Sequence, residues 1–160
     1  MQIEVNEVLN VSPEDFYDYM IDTIIEQIEI DLDVQLNRED IKTGYTHRVR
    51  SVDQKSGKTT RTRYTIKDAK RPERFVVVFS TAEHTTKVTY EFKPLENGTK
   101  TDFLYIMEKT YGDSALEPRG WRAKFSARTT RSRLLRSIKA AQKDCIAKLA
   151  EQEQEQEEQD

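Results

Sequence analysis

KVTYEFKPLENGTKTDFLYIMEK, residues 87–109, is the stretch that decides the fold. Val88, Tyr90 and Phe92 alternate with Lys87, Thr89, Glu91 and Lys93, which is the period of a strand with one apolar face. Asn97-Gly98 then supplies two residues that tolerate the left-handed backbone of a tight hairpin. Phe103, Tyr105 and Met107 resume the alternation on one side, with Leu104 and Ile106 on the other. Two strands and a short turn predict an antiparallel hairpin. Upstream the same period recurs. Arg74 to Ser80 reads as a strand apolar on both faces, set off by Pro72. Thr60, Thr62, Tyr64 and Ile66 alternate with Arg61, Arg63 and Thr65. Beyond the turn Lys55-Ser56-Gly57-Lys58, Tyr45, His47 and Val49 alternate with Thr46, Arg48 and Arg50. Strands in sequence with short connections predict an antiparallel meander.

Helical signals flank this block. After a short strand over 2–9, with Ile3, Val5 and Leu9 on one side, comes Ser12-Pro13-Glu14-Asp15. Ser12 can cap free amides, Pro13 suits the first helical position, and two acids face the positive end of the helix. Phe16, Met20, Ile24 and Ile28 recur every four residues, with Tyr17, Ile21 and Ile25 beside them, so the apolar stripe is wide. Asn37-Arg38-Glu39-Asp40 can start a second, short helix. The last helix is expected from about Trp121 to Ala150, with Leu134, Ile138, Ala141, Cys145 and Leu149 as its stripe. Trp121 and Phe125 fall off that stripe at 100° per residue, so a break near 126–130 is expected to bring them round.

The 160 residues suit one domain, 1–150, and the acidic low-complexity end, 151–160, is expected to be frayed or disordered. The single cysteine, Cys145, excludes an intrachain disulfide and suits a reducing compartment. The N-terminus lacks the basic-then-apolar order of a signal peptide, and the apolar runs are far too short for a membrane span. A cytoplasmic protein is expected. The net charge of -3 conceals segregation. Residues 1–37 carry ten acids and no base, residues 38–74 twelve bases and five acids, residues 119–150 ten bases and one acid, and the last ten residues six acids and no base.

The order strand, helices, antiparallel strands, long helix resembles the START-like superfamily, also called helix-grip or birch-pollen-allergen-like. The stretches LNVSPEDFYDYMIDTIIEQI (9–28) and KVTYEFKPLENGTKTDFLYIMEKTYG (87–112) look like a bacterial family of uncharacterised function within it. The resemblance covers about residues 2–112. The Arg-rich stretch 119–136 and the Glu/Gln tail depart from the family. The resemblance implies an α+β fold in which a curved antiparallel sheet wraps around a long C-terminal helix. It also implies an elongated cavity between sheet and helix, and no catalytic residue.

Three functional readings follow. The first is a binding module for a small apolar or amphipathic molecule, with Tyr64, Phe79, Tyr90, Tyr105, Met107, Trp121 and Phe125 lining the cavity. Buried tyrosine hydroxyls need partners, which water or ligand can supply; ordinary core packing is the bland alternative. The second is an interaction protein whose basic helix, through Arg128, Arg131, Arg133, Arg136, Lys139 and Lys143, engages nucleic acid or anionic lipid. Against it stand a pI near 5.6, the lack of any zinc or nucleic-acid-binding motif, and the reading of these residues as a solvated or ion-paired face. The third is a small hydrolase or cyclase. The histidines are His47, on a predicted strand, and His84, in a predicted turn; Cys145 lies on an apolar stripe, as a buried inert thiol does. No phosphate loop, paired-carboxylate signature or metal-ligand spacing is present, so neither catalytic residue, metal nor cofactor is assigned.

Overall fold

The computed structural model describes residues 1–159; the final residue of the acidic tail, Asp160, lies outside the described residues. Strand β1 (Gln2–Leu9) leads into helix α1 (Pro13–Leu32). After a single 3-10 turn at Arg38–Asp40 come β2 (Thr46–Val52), β3 (Thr59–Lys70), β4 (Arg74–Ser80), β5 (His84–Leu95) and β6 (Lys100–Tyr111), then helix α2 (Trp121–Gln159). The six strands form one curved antiparallel sheet in the order β1-β6-β5-β4-β3-β2, so the fold is α+β with a long C-terminal helix. Among the described residues no helix is long and apolar enough to cross a membrane.

The hairpin at Asn97-Gly98 forms because both residues take positive φ, 58° and 83°. It sets the register Tyr90↔Tyr105 and Phe92↔Phe103. The pairing continues as Val5↔Tyr105 on one side and Phe75↔Tyr90 on the other, so Val5, Tyr105, Tyr90 and Phe75 form one row across the concave face. Two rows further along the strands, Thr86, Phe79, Tyr64 and His47 form another row on the same face. His84 opens β5 rather than lying in a turn.

Helix α1 begins as its sequence dictates, with the Ser12 Oγ accepting from the Asp15 amide at 3.2 Å and Pro13 at the first turn. Its wide stripe is buried on the sheet. The Phe16 ring meets Phe103 edge-on at 5.3 Å, and the Tyr17 ring meets Phe92 at 5.3 Å. Outside the core, Arg71 forks onto Asp18 at 2.8 and 2.9 Å, and Arg38 onto Asp22 at 2.7 Å through two nitrogens. Two acids of α1, Asp18 and Asp22, are thus taken up by arginines of the 38–74 segment, not by α2.

Helix α2 lies along β1 and beside α1. It is tied there by Tyr19 Oη donating to Asp144 at 2.7 Å and by the Asn10 amide donating to Gln142 Oε1 at 2.7 Å. Ile138 and Cys145 are buried, at 7% and 2% exposure, while Leu134, Ala141 and Leu149 are half-buried. One sequence expectation for this helix is corrected. No break occurs near 126–130: the helix runs unbroken from Trp121. A straight helix turns Trp121 and Phe125 to the side opposite the stripe, and they stand 73% and 67% exposed. The helix continues through Gln159, into the acidic end of the chain. Glutamate and glutamine are good helix formers that extend an existing helix without forming a nucleus, and every residue of 151–159 is exposed.

Candidate functional site: two clefts flanking the first helix

Two clefts of about 350 Å³ each open between α1 and the concave face. They share Ile24 and Tyr90. The first runs toward β2 under Ile28 and is walled by Tyr64, Val77 and Phe79, with His47, Gln27 and Asp31 at its outer end. The second runs toward α2 and is walled by Phe16, Phe103, Tyr105, Leu134 and Ile138. The wall common to both is α1, a role the sequence did not suggest. Its Met20 and Ile24, read from the sequence as part of the stripe, are only half-buried because they face these spaces.

Of the sequence-expected lining residues, the structure brings Tyr64, Phe79, Tyr90 and Tyr105 to the cleft walls. It does not bring Met107, Trp121 or Phe125. Met107 pairs with Ile3 and Val88, one row further along β6 from Tyr105, and packs half-buried on the core instead of on either wall. Trp121 and Phe125 face outward for the reason given above. Sequence reasoning missed His47, Gln27, Asp31 and Ile24 as lining residues. The alternation of β2 pointed His47 to the same face as Val49, but nothing local reveals what stands opposite.

Deep in the clefts, the tyrosines supply polar groups, while Gln27, Asp31 and His47 stand at the outer end of the first. Among the described residues, the hydroxyls of Tyr64, Tyr90 and Tyr105 make no hydrogen bond, whereas Tyr19 spends its hydroxyl on Asp144. Burial raises the pKa of all three, so each stays protonated and can both donate and accept near neutral pH. The His47 ring stacks on Tyr64 at 4.7 Å and 20°. Its Nδ1 is buried without a partner among the described residues, and burial lowers its pKa toward the neutral imidazole. Cys145 is buried away from the clefts, and burial pushes its thiol up to about 11. Among the described residues no group of His, Cys, Asp and Glu is placed to hold a metal ion.

The basic residues of α2 form a separate feature. Arg128, Arg131, Arg133, Arg136, Lys139 and Lys143 are all exposed, and among the described residues none stands in an ion pair.

Solved structures share this architecture. The Mll3558 protein from Rhizobium loti is 18% identical, with a TM-score of 0.60 over 88% of this chain and 96% of its own. A protein of unknown function, SA2116 from Staphylococcus aureus, is 16% identical, with a TM-score of 0.60 over 94% of this chain and 96% of its own. Ara h 8.0201 is 10% identical, with a TM-score of 0.58 over 92% of this chain and 98% of its own. At such identities the likeness is one of fold, a helix-grip. No curated protein matches the sequence. The family model described as a domain of unknown function, DUF3284, matches residues 1–115, and the chain belongs to that family.

Proposed function

We propose that this chain is a START-like binding protein for a small apolar or amphipathic molecule, held in the clefts between α1, the sheet and α2. One observation carries the reading: three tyrosine hydroxyls without a protein partner stand in clefts walled mostly by carbon. A closed core fills such space with Leu, Ile, Val or Phe and pairs its polar atoms. A binding cleft keeps apolar area for affinity and a few polar groups for orientation, at volumes of roughly 300–1,000 Å³. The tyrosines, held protonated, serve as hydrogen-bonding handles and not as bases. Native mass spectrometry of the protein purified from its own host tests this. The expected spectrum contains a species heavier than the bare chain by one small molecule, lost on gentle activation. Bare chain alone, together with failure to bind a neutral apolar probe, would defeat the proposal.

A second reading is favoured by the six exposed, unpaired bases on α2, which fit the phosphates of a nucleic acid or anionic lipid surface. Its weakness is the acidic end of the same helix, Glu151 to Glu158, which repels any extended polyanion. Binding that falls steeply with salt and disappears when Arg131 and Arg136 are neutralised would promote it.

A further inference from the structure

Resting on the reading just given, we infer that the clefts select ligands by charge: they take neutral amphiphiles, or ones whose single charge is a cation at Asp31, and they exclude carboxylate-bearing ones. Among the described residues lining the two clefts, Asp31 is the one side chain with a formal charge, and neither a lysine nor an arginine is present. Asp31 accepts a hydrogen bond from Gln27 at 3.1 Å and is in no ion pair among the described residues. A carboxylate drawn into such a space gives up its water and meets no cation, which is the costly way to bury charge.

The bases nearby are all turned elsewhere, and the pleat is the reason. Arg48 and Arg50 flank His47 and Val49 on β2, and Arg61 and Arg63 flank Thr62 on β3. Alternation sends the cleft-lining residues to the concave face and all four arginines, exposed, to the convex one. Arg38 is committed to Asp18 and Asp22, and Arg71 to Asp18. The bases of α2 occupy its exposed side. His47 is the remaining base at the wall, and it sits stacked on Tyr64 with a buried nitrogen; burial favours the uncharged ring and outweighs the opposing pull of nearby Asp31.

The three tyrosines stand on different strands, Tyr64 on β3, Tyr90 on β5 and Tyr105 on β6, with the Tyr90 and Tyr105 rings 5.3 Å apart. They supply neutral oxygens to walls that are otherwise mostly apolar.

The test is displacement of a neutral fluorescent probe, N-phenyl-1-naphthylamine, from the full chain by three matched amphiphiles kept below micelle formation: dodecan-1-ol, dodecylamine and dodecanoate. The alcohol and the amine are expected to displace the probe at concentrations about tenfold below that needed for dodecanoate, and Asp31→Asn is expected to weaken the amine by about threefold while leaving the alcohol unchanged. Dodecanoate displacing as well as the alcohol would overturn the inference while leaving ligand binding intact, and so would an Asp31→Asn variant that holds the amine as tightly as the parent. A probe that never binds saturably would instead strike at the binding reading itself, and the charge selection with it.

Discussion

Replacing Tyr90 by Phe removes one oxygen from the wall that the two clefts share, and the structure sets what that should cost. The Tyr90 hydroxyl has no protein partner among the described residues, so its loss breaks no internal hydrogen bond. The ring contacts with Tyr105 at 5.3 Å and Phe75 at 6.0 Å are carbon contacts that phenylalanine keeps. A structural hydroxyl would lose ~0.5–1.5 kcal/mol on deletion. Here the free protein is expected to change by less than ~0.5 kcal/mol, because no internal bond is lost and the hydroxyl stands in an open cleft. For a chain of this size that corresponds to a shift of about 1–2 °C in Tm at most. Affinity should fall. An oxygen-bearing ligand such as dodecan-1-ol loses one hydrogen bond and should bind about two- to tenfold more weakly. Urea denaturation read by circular dichroism gives the first quantity, and probe displacement gives the second. A loss of stability above ~1.5 kcal/mol with affinity unaltered would refute the reasoning, since it would make Tyr90 a structural hydroxyl.

Other outcomes follow from the packing and the charges. Ile138→Ala should cost ~2–5 kcal/mol, since the side chain is buried where α2 meets the core, whereas Trp121→Ala should cost less than ~0.5 kcal/mol; both are checked by urea denaturation. His47 and His84 both have lowered pKa values in the folded chain, chiefly through burial, so the folded state binds fewer protons than the unfolded one. Stability should therefore be fully present above the unfolded histidine pKa of about 6.5 and decline as pH falls below it, and His47→Asn with His84→Asn should flatten that decline in a pH series of melting curves. Truncation after Ala150 should leave the Tm nearly unchanged at moderate salt, because residues 151–159 are exposed throughout; a large drop in calorimetry would show that the acidic end is clamped on a basic surface.

The parts of the fold that were legible in the sequence are those fixed by local pattern. Period-two alternation and Asn97-Gly98 gave the strands and the β5–β6 hairpin, and Ser12-Pro13 gave the start of α1. The inner tyrosines were legible too, because register follows from alternation once the hairpin is set. What sequence could not supply is distance between elements. That α1 covers the concave face and divides its open space depends on Phe16 and Tyr17 meeting Phe92 and Phe103, contacts between residues far apart in the chain. Trp121 and Phe125 misled for a related reason. Bulky aromatics in a protein with an expected cavity suggest a wall, but a straight helix cannot present both them and Leu134 to the same side. Arg38 and Arg71 pair with α1 acids across gaps that only the folded chain closes.

The central claim, that the spaces beside α1 are a ligand site, is tested most directly by titrating N-phenyl-1-naphthylamine into the parent chain and into Ile24→Trp, with circular dichroism confirming that both are folded. Ile24 lines both clefts, so an indole there fills the space they share. The account predicts saturable binding to the parent and its loss in the variant. No saturable binding to the parent would contradict it. So would binding that survives Ile24→Trp yet vanishes when Arg131 and Arg136 are neutralised, which would move the function to the exposed face of α2.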